Sequence, residues 1–170
     1  MSWHSSAVLI GVDRASDIVG LLEELGFPGA HYLHSVSFDE ATSVGDFDGS
    51  LTLAVAIVDG WTSIWGPFLT ADQNALSRIS KEGPVFTLIL EGSTGTHGFE
   101  FFRDGSRVRE RMEQEGEGRS EVGEPLAEEL ELFRNSDDGE RSILDLMGKL
   151  TIPFDRLSSV NYDVYELPFS

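Results

Sequence analysis

The chain of 170 residues carries 30 acidic side chains against 12 basic ones, a formal net charge of −18, and no cysteine. A surface of that sign repels phosphate backbones and anionic lipid, which disfavours nucleic-acid and membrane-surface binding and draws in a basic protein partner instead. The missing thiols exclude disulfides, cysteine nucleophiles, iron–sulfur clusters and cysteine-based zinc sites, while 40% hydrophobic and 10% aromatic residues suffice for the core of a single domain over 1–170.

Residues 6–12 form a short apolar run of strand formers. The run lacks a basic leader and is too short for a signal or membrane-spanning segment, which points to a soluble, cytoplasmic protein. Asp13 or Ser16 can cap a helix in which Ile18, Leu21, Leu22 and Leu25 recur at helical spacing, and Gly26 with Pro28 ends it. Residues 30–38 alternate through Tyr32, His34, Val36 and Phe38 and predict a second strand, followed by a polar, exposed loop from Asp39 to Gly49.

The strongest local signal is Asp59-Gly60 between two runs of strand formers, Leu51–Val58 and Trp61–Trp65, because Asp-Gly suits the type I′ turn of a two-residue hairpin. That turn sets Val58 opposite Trp61, Ala56 opposite Ser63 and Ala54 opposite Trp65, with Leu51, Leu53, Val55, Ile57 and Ile64 on the other face. Thr70 with Gln73 predicts a capping box for a helix carrying Ala75, Leu76 and Ile79; Gly83-Pro84 closes it, and Val85–Leu90 reads as a buried strand. A second Asp-Gly, Asp104-Gly105, predicts another hairpin with Phe102 opposite Arg107, Glu100 opposite Arg109 and Phe101 opposite Val108.

Glu113–Glu124 has almost no apolar residue and predicts a solvated, mobile loop. Pro125 suits the first turn of a helix with Leu126, Leu130 and Phe133 on one stripe; the 135–139 stretch breaks it. Ile143, Leu144, Met147 and Leu150 mark a last helix, Pro153 stops it, and Tyr162–Leu167 predicts a final strand at a sheet edge. Two Asp-Gly hairpins, with helices that do not alternate one for one with strands, argue for an α+β fold, a mainly antiparallel sheet with helices packed on it. The opening strand–helix–strand is expected to supply one parallel pair.

Among residues capable of chemistry, His31 and His34 have a helical ligand spacing but lie in a predicted strand, where their rings should point to opposite faces, so no metal site is expected. Asp46, Asp48 and Gly49 resemble the start of a calcium loop, yet the glycine comes two positions early and a turn is the better account. Gly92–Gly98 has no lysine and joins strand to strand, which argues against a phosphate loop; no elbow motif or orienting acid accompanies Ser93, Thr94 and His97 as nucleophile and base. No cofactor is expected. Two surfaces remain as candidates for ligand or partner binding. Arg107, Arg109 and Arg111 alternate onto one face of the second hairpin and could fork onto an anion, unless the neighbouring acids neutralise them. Trp61 and Trp65 share a hairpin face with Ala54 and Ala56, which leaves indole faces open unless the helix that follows packs over them.

The run Leu51-Thr-Leu-Ala with Asp59-Gly-Trp61, the Leu76-Ser77 pair, Phe101-Phe-Arg-Asp-Gly105 with Arg109, and Gly123-Glu-Pro-Leu126 with Glu129 resembles small uncharacterised bacterial domains with a Gly-Trp strand and an aromatic-x-Asp-Gly…Arg hairpin. The resemblance spans about the middle half of the chain and implies an α+β fold, and it carries no catalytic residue across to this chain; some small acidic bacterial proteins of this look are toxin-neutralising immunity proteins. The first expectation is therefore a non-enzymatic, acidic binding protein that engages a basic protein, immunity- or antitoxin-like. The alternative is a small-molecule or anion-binding module, including a hydrolase, built on the arginine or tryptophan face.

Overall fold

The computed structural model describes residues 4–43, 51–66, 71–134 and 138–168. One antiparallel sheet of nine strands forms the centre of the molecule. In chain order the elements are β1 (His4–Ile10), α1 (Ile18–Glu24), β2 (His31–Val36), α2 (Phe38–Ser43), β3 (Leu51–Val58), β4 (Trp61–Gly66), α3 (Gln73–Ile79) and β5 (Val85–Glu91). There follow β6 (Thr96–Arg103), β7 (Ser106–Gln114), β8 (Gly118–Val122), α4 (Ala127–Arg134), α5 (Gly139–Leu150), α6 (Phe154–Leu157) and β9 (Tyr162–Leu167). The strand order is β2-β9-β3-β4-β1-β5-β6-β7-β8. The α+β architecture and the antiparallel sheet are as the sequence predicts.

Strand alternation divides the apolar residues into two cores, one on each face of the sheet. On one face, Leu21, Leu22 and Leu25 at the α1 end and Ala75, Leu76 and Ile79 of α3 pack over Val8, Ile10, Leu53, Val55, Ile64, Val85 and Phe102. On the other, Phe38 of α2, Ile143, Leu146 and Met147 of α5 and Leu157 of α6 cover Leu9, Ala54, Trp65, Phe86, Leu88, Phe99 and Phe101. Central strands such as β1 are therefore buried on both sides, and their sequences read as continuous apolar runs.

The first hairpin has the expected register, Val58 opposite Trp61, Ala56 opposite Ser63 and Ala54 opposite Trp65. Asp59 and Gly60 both have positive φ, as a type I′ turn requires. Several other expectations are corrected. No parallel pair forms among the described residues, because β2 joins the sheet beside β9 rather than beside β1. For the same reason β9 is not an edge strand: it lies between β2 and β3. The predicted loop at Asp39 begins as α2 instead, since the Ser37 hydroxyl accepts from the Glu40 amide and donates to its carboxylate, a reciprocal cap of the Ser-x-x-Glu type. Helix α3 is capped by Asp72, which accepts from Asn74 and Ala75; Thr70 lies outside the described residues, as do Asp46, Asp48 and Gly49.

The largest correction concerns Glu113–Glu124. This stretch is β7 running on to Gln114, a tight turn, and β8 returning beside it from Gly118↔Gln114 to Val122↔Glu110. A strand exposed on both faces needs no apolar residue; the backbone ladder and cross-strand ion pairs hold it. The Arg119 guanidinium lies 3.6 Å from Glu113 and 3.3 Å from Glu121.

Candidate functional site

The end of the sheet formed by β6, β7 and β8 gathers the charged residues that the sequence singles out, and a β-bulge decides where they point. Phe102 stands opposite Arg107 as expected, but the next pairs are Phe101↔Arg109, Glu100↔Glu110 and Phe99↔Arg111, with Val108 as the extra residue. The predicted pairs Glu100 with Arg109 and Phe101 with Val108 are therefore wrong by one position. The bulge also separates the arginines: Arg107 is left on the α1/α3 face, and Arg109 and Arg111 turn to the α4/α5 face.

Arg107 donates to Glu100 at 3.0 Å and to Glu110 at 2.6 Å. Arg109 is fully buried. Its Nε and Nη2 grip both oxygens of Glu129, a second Nη2 bond reaches Glu121 at 2.6 Å, and Nη1 donates to the Gly123 carbonyl at 2.9 Å. Burial alone would lower the Arg109 pKa; the hydrogen bonds of Glu129 and Glu121 outweigh it and raise it. Glu129 is as buried as Arg109 and also accepts from the Leu126 amide, so one carboxylate caps α4 and locks it onto β7. Arg111 lies 4.1 Å above the Phe133 ring, donates to Glu113 at 3.0 Å and approaches Glu129 at 3.5 Å. Glu113 in turn holds the His97 ring at 2.9 Å.

Each guanidinium of the predicted anion stripe is thus already bound by carboxylates of the same chain. The orienting acid of His97, invisible in the local sequence, is Glu113 across the β6–β7 ladder. Ser93 does not join it: its hydroxyl donates to Glu91 at 2.6 Å, where His4 also binds, on the opposite face of the sheet. No nucleophile–base pair assembles from Ser93, Thr94 and His97.

A helix does pack over the tryptophan face, but it is not the one that follows the hairpin. Trp65 is 0% exposed; it packs edge-on against Phe38 of α2 at 5.2 Å, and its indole nitrogen donates to Ser63 at 2.9 Å. Ser63 also shares a 3.1 Å hydrogen bond with Tyr162, whose pKa burial pushes up to about 12. The cover comes from α2 and not from α3, which lies on the other side of the sheet. Trp61 is partly buried against the same core.

A bulge in β2 brings His31 and His34 onto the same face, contrary to the expected divergence, because Leu33 is the extra residue between Tyr32↔Tyr165 and His34↔Val164. Even so, no group of three or more His, Asp or Glu among the described residues is arranged to hold a metal ion. A half-open groove of about 150 Å³ lies between α3 and β5–β7, with Leu76, Gly98 and Met112 among its apolar lining. Its polar groups are committed to one another: Gln73 and Thr87 both donate to Glu100, at 3.2 and 3.1 Å. The groove is smaller than the several hundred Å³ usual for a small-molecule site.

Exposed carboxylates occur on all sides of the fold, including Glu23 on α1, Asp39 on α2, Asp59 and Asp104 in hairpin turns, and Asp163 on β9. They are densest at the β7–β8 end, where residues 107–131 hold nine glutamates against four arginines. After the ion pairs are drawn, Glu115, Glu117, Glu124 and Glu128 are exposed and take no ion pair among the described residues. No helix among the described residues is long and apolar enough to cross a membrane. Compared with known proteins, the chain matches no family model and has no significant match to a curated protein or a solved structure.

Proposed function

We propose that this protein is a non-enzymatic acidic binding protein that engages a basic protein partner through the β7–β8 end of its sheet, in the manner of an immunity or antitoxin-like protein acting in the cytoplasm. The observation that carries the reading is the balance at that end. Arg107, Arg109, Arg111 and Arg119 are all paired with internal carboxylates, so the surplus glutamates on the β7–β8 turn and the start of α4 give that end a net negative field. Such a field steers a cationic surface and speeds its association, and it weakens as salt shortens the screening length. The same internal pairing weighs against an anion site on the arginines, and the small groove weighs against a hydrolase. The resemblance to small acidic bacterial domains points the same way as the charge.

The test is affinity capture from lysate of the source cells, at low and high salt, with the parent chain and with a variant carrying Glu115→Gln, Glu117→Gln, Glu124→Gln and Glu128→Gln. The expected result is one basic protein retained by the parent at low salt, released as salt rises, and retained poorly by the variant. Equal capture by both chains, or no basic protein at all, refutes the proposal.

A further inference from the structure

The sheet ends on two edges, β2 and β8, and they are built differently. Strand β2 is interrupted by its bulge, a device that blunts an edge against further pairing. Strand β8 keeps an unbroken register with β7 over all five residues, is exposed throughout, and has no strand on its outer side. It contains neither proline nor lysine, and its two charged residues, Arg119 and Glu121, pair with each other along the strand. An edge of this kind has unpaired N–H and C=O groups in the spacing that an extended chain matches.

We infer that β8 is a docking edge on which an extended basic segment of a protein partner adds as a tenth strand. The inference rests on the proposed function for its choice of a basic occupant, and the edge itself supplies the mode of binding. The pleat then dictates the partner's sequence. On the α4/α5 face β8 itself presents Arg119 and Glu121, while the carboxylates without an ion pair flank the strand, Glu115 and Glu117 before it and Glu124 and Glu128 after it, so Lys or Arg is expected chiefly towards the two ends of the added strand. On the opposite face the neighbours are Gly118, Ser120 and Val122, the last 39% exposed. The intervening side chains should therefore be Val, Ile or Thr, which cover Val122 and meet no charge. A second copy of β8 fits less well, since joining two chains of charge −18 costs repulsion that a cationic strand turns into attraction.

The experiment uses the full chain and two synthetic peptides of alternating lysine and valine, one plain and one N-methylated at every residue. The two carry the same charge, but the second can donate along neither edge. Calorimetry at low salt measures affinity, and amide hydrogen exchange locates the bound peptide. The expected result is binding of the plain peptide, at least tenfold weaker binding of the methylated one, and slowed exchange confined to β8 and its neighbours. Equal affinities, both lost with salt, overturn strand addition and leave the electrostatic reading standing. Protection at β2 instead of β8, or a stable β8-paired dimer of the chain without peptide, overturns it as well. Failure of both peptides to bind at low salt overturns the inference and the proposed function together.

Discussion

At the scale of single residues, the buried Arg109–Glu129 pair is the feature with the largest consequence. Two charges withdrawn from water are costly, and here the cost is offset by a bidentate grip, a backbone carbonyl on the arginine and a helix-capping amide on the glutamate. Removing one partner leaves the other buried and uncompensated. Arg109→Ala should lower stability by about 3–5 kcal/mol, measured by urea denaturation, a loss typical of a broken buried pair. Replacing both ends with apolar side chains, Arg109→Met with Glu129→Leu, removes the stranded charge and should recover more than half of that loss. If the double variant is no more stable than Arg109→Ala, the penalty lies in lost packing and not in an unpaired carboxylate.

At the scale of elements, the β7 bulge and the turn after β8 act together: the bulge aims Arg109 inward, and Gly123 returns its carbonyl to the guanidinium. Gly123 has φ +78°, and a Cβ there would collide with the Val108 carbonyl at the bulge itself. Gly116, in the β7–β8 turn, has a similar φ of +85°, yet a Cβ there meets nothing. Gly116→Ala should therefore cost only the left-handed backbone penalty of about 1–2 kcal/mol, and Gly123→Ala should cost more, with faster amide exchange in β8 and the first turn of α4. Equal losses would show that Val108 and Gly123 are not coupled. The contrast also explains what the sequence made legible. Asp59-Gly60 and Asp104-Gly105 announce their turns because a local dihedral demand selects those residues. The apolar stripes of α1, α3 and α5 announce their buried faces for the same local reason. The bulge at Val108 has no such local marker; it is set by how β7 must meet β6 and α4, and with it went the placement of Arg107, Arg109 and Arg111. Strand β8 was hidden because an edge strand needs no apolar face, and composition alone then reads as a loop. Ser37-x-x-Glu40 is a legible helix start that competes with the strand alternation of residues 30–38. Trp65 is covered by Phe38 of that same helix, a contact between distant elements that no local pattern displays.

At the scale of the whole molecule, two electrostatic effects oppose each other as the pH falls. The net charge shrinks toward the isoelectric point near 4.3, which relieves self-repulsion and favours the folded chain. Against this, several carboxylates are held below their ordinary value of 4.5: Glu91 by the Ser93 hydroxyl and then His4, Glu113 by Arg111 and His97 against the opposing effect of its burial, and Glu121 by Arg109. A depressed carboxylate takes up its proton in the unfolded chain before the folded one. Its contribution is therefore complete above 4.5 and is lost as the pH falls through the lower, folded-state value. The repulsion acts mostly between exposed charges that are spread over the fold and screened beyond about 8 Å at physiological salt, whereas the pairs at β7, β8 and the His4–Glu91 corner act at hydrogen-bond distance. The short-range pairs should win. Thermal unfolding across a pH series is expected to place maximum stability above the isoelectric point, with a decline below 4.5, and added salt at neutral pH should raise the midpoint by screening the residual repulsion. A maximum at the isoelectric point itself would mean that the charge excess, and not the paired glutamates, governs how this fold holds together.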